Sequence, residues 1–157
     1  MTSGFIKDLV QHKEWVAENM QAAANDLFKR AAIHDNSKFE PEEFDLYDKL
    51  FPELQKYPYG SPELKAVYKQ LGPALQHHLQ VNRHHPEYFE FEVEGINGIS
   101  QMTLIDLIEM VCDWLAASKR SQTGIHKGLE INKERYGIDD QLFEIIKHTV
   151  DALLEQG

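Results

Sequence analysis

The 157-residue chain carries 26 aspartates and glutamates against 16 lysines and arginines, a formal net charge of −10 with its eight histidines neutral. An apolar fraction of 42% excludes a disordered chain, and the single cysteine, Cys112, excludes a disulfide framework or a Cys-rich zinc module. The acidic balance opposes nonspecific duplex binding, which needs clustered lysine and arginine, so no duplex nucleic acid is expected as a partner.

The length suits a single domain over 1–157. The start, MTSGFIKDLVQHKEW, has no secretory pattern, and no apolar run nears the ~20 residues of a membrane span. The expectation is a soluble, cytoplasmic protein with no membrane partner. The sequence does not set the oligomeric state.

Nearly every apolar pattern has the helical period. Phe5, Leu9, Val16 and Met20 form one stripe, which predicts one long helix or two shorter ones over roughly 4–30. Pro41 suits a first helical turn, followed by Phe44, Tyr47 and Phe51 at helical spacing. The stretch 52–62, with three prolines and a glycine, reads as a loop. Leu64, Val67, Leu71 and Leu75 open another helix, which Gly72-Pro73 kinks or breaks. Residues 86–101 read as an irregular connector. Phe89, Phe91 and Val93 alternate there, which allows a short hairpin near Gly95. Thr103 and Asp106 form a capping box for a helix with the stripe Leu104, Leu107, Ile108, Val111 and Leu115. A shorter helix over 125–136 ends at Gly137. Asp139 or Asp140 caps the last one, with the stripe Leu142, Ile145, Ile146, Val150 and Leu153. The fold class is therefore all-α, with six or seven helices.

The chemistry lies with the histidines, four of which fall within 77–85. His12 stands three residues after Leu9 and four before Val16, on the stripe of the first helix, where a hydrogen-bonded core histidine is the ordinary alternative to a ligand. His34 and Asp35 set an imidazole beside a carboxylate, a pair able to grip one divalent ion and reach a second; a plain helix end is the bland alternative. In HHLQVNRHHPEY the two pairs stand seven apart, about two helical turns. The apolar stripe favours His78 and His85 as inward-facing, whereas Pro86 disfavours helix at His85. Asp106, Glu109 and Asp113 share one carboxyl face. Asp113 sits among Val111, Cys112, Trp114 and Leu115, where a carboxylate is costly without a cation or hydrogen bonds. Cys112 reads as a small core residue and a poor nucleophile. His126 and His148 read as surface residues.

The order of these residues on helices resembles the HD-domain superfamily of metal-dependent phosphohydrolases. That resemblance implies an HD-like helical bundle with His12, His34, Asp35 and Asp113 on one ion. It makes His78, His84 and His85 additional ligands, for one or two ions in all. HDNSK is similar to the HDxGK form of the cyclic-dinucleotide phosphodiesterase branch, in which the lysine contacts the substrate phosphate, and this implies that role for Lys38. HHPEY is similar to the HHE of that branch, whereas its GYP signature is absent. HDNSKF, HHLQVNRHHPEY and EMVCDWLAASKR together resemble a small uncharacterised bacterial and phage family.

The expected activity is hydrolysis of a small phosphorylated substrate of the nucleotide or cyclic-nucleotide type. A donor set of imidazoles and carboxylates suits Mn, Fe, Co, Ni or Zn better than an all-oxygen magnesium cage. Asp35 and Lys38 are the expected catalytic residues, Glu109 orients a ligand imidazole or relays a proton, and Arg83, Lys119 or Lys127 are further anchors for the substrate. A di-iron oxygenase of HD type and a non-catalytic nucleotide-binding or interaction protein are the competing readings.

Overall fold

A computed structural model describes residues 3–92 and 95–156. The described residues contain seven α-helices and two short 3₁₀ turns, and no strand, which is an all-α fold. The chain divides into two compact units, 1–34 and 35–157.

The first unit is one uninterrupted helix, α1 (Gly4–Ile33), opened by Ser3, whose hydroxyl accepts a hydrogen bond from the Ile6 amide at 3.3 Å. None of its residues is buried, and Phe5, Leu9, Val16 and Met20 are all exposed. The expected buried stripe, with His12 on it, is therefore corrected: His12 is exposed. Helical periodicity identifies a face, not its burial.

The second unit begins with a 3₁₀ turn, Asn36–Phe39, and continues through α2 (Phe44–Lys56), α3 (Pro62–Val81), α4 (Pro86–Glu92), α5 (Leu104–Ser118), α6 (Ile125–Tyr136) and α7 (Asp140–Leu154). The expected loop at 52–62 is shorter than expected, because α2 runs through Pro52 to Lys56. Leu50 and its neighbours Leu46, Tyr47 and Leu54 pack with Val67 and Leu71 of α3, and this apolar contact outweighs the cost of an internal proline. Ser61 caps α3 with Pro62 at its first position. Gly72 bends the helix with φ 44° and ψ −115°, as Gly72-Pro73 predicts. Beyond the bend, Ala74 and His78 face inward and Val81 is exposed.

The connector after His85 is helical over 86–92, so Phe89 and Phe91 belong to α4 and not to a strand. Val93, the remaining member of the expected hairpin, lies outside the described residues. A second 3₁₀ turn, Gly98–Gln101, packs on α4 so closely that a methyl group at Gly98 would overlap the Pro86 carbonyl.

Thr103 and Asp106 form the predicted capping box of α5. Gly137, left-handed at φ 60°, ends α6, and Asp139 caps α7. A second core joins Met110 and Val111 of α5, Leu129 of α6 and Phe143, Ile146 and Val150 of α7. Leu104 and Ile145, placed inward by the sequence pattern, are exposed. No described helix is long and apolar enough to cross a membrane.

Candidate metal centre

Three short pieces of backbone build the site. Asp35 sits in the left-handed region at φ 58°, ψ 15°, the only described non-glycine residue with positive φ, and starts the 3₁₀ turn that carries Ser37 and Lys38. Aspartate tolerates this conformation better than most residues, yet it remains strained. His78 lies on the last turn of α3. His84 and His85 lie in the tight turn 82–85, where the His85 amide donates to the Asn82 carbonyl at 3.2 Å. The turn folds both rings back onto His78, with ring centroids 4.8 Å apart for His78 and His85 and 4.2 Å for His84 and His85.

Asp35, His78, His84 and His85 thereby bring one donor atom each to within 4.8 Å of all the others. His78 Nε2 is 2.9 Å from His85 Nε2 and 3.3 Å from Asp35 Oδ1, and His84 Nε2 is 3.4 Å from the same oxygen. Donors about 2.1 Å from one ion stand roughly 3.0–3.4 Å apart at neighbouring tetrahedral or octahedral positions. These three distances fit a single first-row transition ion, and so do three imidazoles with one carboxylate. A carboxylate oxygen of Asp113, on α5, also lies within 4.8 Å of one of Asp35.

A second tier holds these rings. Glu43, at the start of α2 and wholly buried, accepts from His77 Nδ1 at 2.8 Å and from His78 Nδ1 at 3.0 Å. With its proton on Nδ1, His78 presents the Nε2 lone pair to the cluster. The Asn82 amide donates to Ser37 Oγ at 2.8 Å and to the His78 carbonyl at 2.8 Å, tying the 3₁₀ turn to the end of α3. Glu109 lies 3.4 Å from His84 Nδ1. The His84 ring thus stands between the carboxylates of Glu109 and Asp35.

Protonation favours metal binding. Burial pushes the His85 imidazole down to about 2, assisted by repulsion from His84 and His78. Burial and the Lys38 ammonium likewise lower His78, against the pull of Asp35 and Glu43. Burial opposes ionisation of Asp35, but the His84 hydrogen bond and the Lys38 ammonium, 2.5 Å from Oδ2, hold its carboxyl well below the ordinary carboxylate range. At neutral pH the set offers neutral His78 and His85 imidazoles and an ionised Asp35, as ligation requires.

The cluster borders a cavity of about 700 Å³, whose walls include Lys38, Tyr47, His78, His85, Asp113 and Trp114. Its described cations are Lys38, Arg120 and Arg135; Lys119, Lys127 and Arg83 do not line it. Arg83 instead makes two 3.2 Å hydrogen bonds to the buried Asp106 carboxylate, and its guanidinium lies over the Tyr88 and Phe89 rings. This corrects the expectation that Arg83, Lys119 or Lys127 serves as a further substrate anchor.

Of the residues expected from sequence, Asp35, Lys38, His78, His84, His85, Glu109 and Asp113 therefore gather around one wall of the second unit. His77 is turned toward Glu43 and Glu40 instead. His12 lies midway along α1 and His34 is its C-terminal cap, half-buried. Cys112 is exposed, which corrects its placement in the core; partial burial and the Glu109 carboxylate push its thiol up, so it is a poor nucleophile. His126 and His148 are exposed, as expected.

Glu43, Ser37 and Asn82 were not singled out from sequence. Ser37 and Asn82 lie inside the HDNSK and HHLQVNRHH segments, which was the available signal. Glu43 had none, standing in the acidic run EPEEF, where solvent exposure is the default.

A family model described as a family of unknown function, DUF5662, matches residues 1–152. No curated protein and no solved structure matches the chain.

Proposed function

The chain belongs to the DUF5662 family, which carries no assigned function, and we propose from its own residues that it is a metal-dependent phosphohydrolase acting on a small nucleotide-type phosphoester. The observation that carries this reading is the convergence of Asp35, His78, His84 and His85 beside a cavity lined by His78, His85 and Lys38. The HD-type resemblance adds Asp113 as a ligand of the same centre.

A bound divalent ion supplies a water acidic enough to act near neutral pH and polarises the phosphoryl oxygen. The residues of the chain orient and neutralise. Glu43 and Glu109 fix the rotation and tautomer of His78 and His84. Lys38 offsets charge on the phosphoryl group, and Arg120 extends the positive wall on which an anionic substrate rests in an otherwise acidic protein. These cations favour phosphoester chemistry over oxygen activation by iron at the same donors.

The test is hydrolysis of bis(p-nitrophenyl) phosphate and a panel of nucleotides, with Mn²⁺, Co²⁺, Ni²⁺, Fe²⁺ or Zn²⁺ restored to chelator-treated protein. Metal-supported release that falls at least tenfold in Lys38→Ala supports the reading. Oxygen uptake by an iron-loaded protein with no hydrolysis would replace it with the oxygenase alternative. Retention of intact nucleotide over long incubation would replace it with a binding module.

A further inference from the structure

Asn132 stands apart from the polar residues of α6. It is only 3% exposed, one turn after the buried Leu129, and lines the cavity. The Tyr59 hydroxyl donates to its Oδ1 at 2.5 Å, which fixes the amide orientation. Tyr59 is itself held through its carbonyl, which accepts from the Thr123 hydroxyl at 3.2 Å. The Asn132 Nδ2 makes no hydrogen bond among the described residues. The nitrogen opens onto the cavity, where it is free to donate to an acceptor placed there.

The rest of that wall is flat and aromatic. Trp114 and Tyr136 stack with an interplanar angle of 7° at 6.1 Å, Tyr59 and Tyr68 add two more rings, and Arg135 lies 4.8 Å from the Tyr136 ring centre, anchored by Glu87 at 2.8 Å. Gly128, one turn before Asn132, also lines the cavity, and a Cβ placed there would meet nothing within 4 Å. The glycine leaves open the space that a long side chain would fill. A volume of about 700 Å³ accommodates a ring together with a sugar phosphate, within the ~300–1,000 Å³ of small-ligand sites.

We infer that Asn132, held by Tyr59 among the aromatic walls, is the specificity-determining residue of a subsite for a planar heterocycle bearing a ring carbonyl. The carbonyl accepts from Asn132 Nδ2, and the ring lies against aromatic faces. That this heterocycle is the organic part of a phosphoester rests on the proposed hydrolysis; the ring subsite does not.

The experiment is calorimetric binding to chelator-treated protein, so that the readout is independent of metal and turnover. The probes are inosine 5′-monophosphate, adenosine 5′-monophosphate and ribose 5-phosphate. Inosine presents a carbonyl where adenine presents an amino group, and ribose phosphate has no ring. The expected result is that the inosine nucleotide binds about tenfold tighter than the adenosine one and tighter still than ribose phosphate. Asn132→Asp, which replaces the donor with an acceptor, abolishes the preference for inosine.

A buried aspartate can also impair folding, so Gly128→Leu is the second variant. It gains helix propensity, fills the cavity and lowers inosine nucleotide affinity at least tenfold with thermal unfolding undiminished. Equal affinity for the three probes, or full inosine nucleotide affinity in folded Gly128→Leu, would overturn the assignment. Ring discrimination without metal-supported hydrolysis of bis(p-nitrophenyl) phosphate would sink the proposed hydrolase and leave the subsite standing. Hydrolysis without ring discrimination would do the reverse.

Discussion

Glu43 grips His78 from behind: its wholly buried carboxylate accepts from Nδ1 at 3.0 Å while the opposite nitrogen of the ring faces Asp35 Oδ1 at 3.3 Å. One carboxylate thus sets the tautomer of the ring, and the other stands beside its outward lone pair as a second electron-pair donor facing the same point. This relationship fixes the direction in which a buried histidine presents its free nitrogen. Glu43→Gln keeps the shape and removes the negative charge, and should lower transition-metal affinity about 10–100-fold. Isothermal titration of chelator-treated protein with Co²⁺ measures it; unchanged affinity would mean that Glu43 serves only the packing of α2.

Asp35 separates backbone from charge. Asparagine tolerates the left-handed conformation at φ 58° as well as aspartate does, so Asp35→Asn should fold normally and yet lose most bound metal. Asp35→Val, by contrast, should lose stability as well, because a β-branched residue is costly at that φ. Circular dichroism melts alongside elemental analysis separate the two effects.

Stability of the metal-free protein should fall in mild acid. The His85 imidazole is held neutral down to about 2, and His78 is displaced in the same direction, whereas both take up a proton near 6.5 once unfolded. Below that pH the unfolded chain binds protons that the folded chain refuses, so stability rises with pH across this window and levels off above about 6.5. Asp35, displaced below its unfolded value, adds a contribution that is complete above about 3.9 and is lost as pH falls through its folded pKa. Urea midpoints between roughly pH 4.5 and 7 should therefore climb with pH, with a slope of up to about 1.4 kcal/mol per pH unit for each proton. The climb should be shallower in His85→Gln. An identical climb in that variant would contradict the assignment of His85.

Gly98 tests the scaffold behind the histidine turn. A methyl group there meets the Pro86 carbonyl, and Pro86 immediately follows His85. Gly98→Ala should cost about 1–3 kcal/mol in urea unfolding and loosen metal binding, because the backbone that aims His84 and His85 has to shift. Wild-type stability in this variant would show that the contact relaxes without strain.

Much of the fold was legible because its signals are local. The Thr103–Asp106 capping box, the Gly72-Pro73 bend and the Gly137 stop each depend on residues within one turn of one another, and each is present. The end of α2 was misplaced because Pro52 is a local breaker overridden by contacts of Leu50 with α3, which lie far away in sequence. The site was legible in its residues and not in its geometry. Seven-residue spacing suggested two helical turns, whereas His84 and His85 reach His78 through the turn 82–85. Glu43 and Asn132 were silent because one carboxylate in an acidic run, or one amide on a polar helix, carries no mark of burial in the sequence.

Whether Asp35, His78, His84 and His85 hold a transition metal is decided by elemental analysis of the protein purified without added metal, beside a doubly substituted His78→Ala, His85→Ala form. The expected result is stoichiometric Mn, Fe, Co, Ni or Zn in the natural protein and its loss from the variant, with helical circular dichroism retained in both. A natural protein without transition metal that also takes up none on titration, or equal metal in the two proteins, would contradict it.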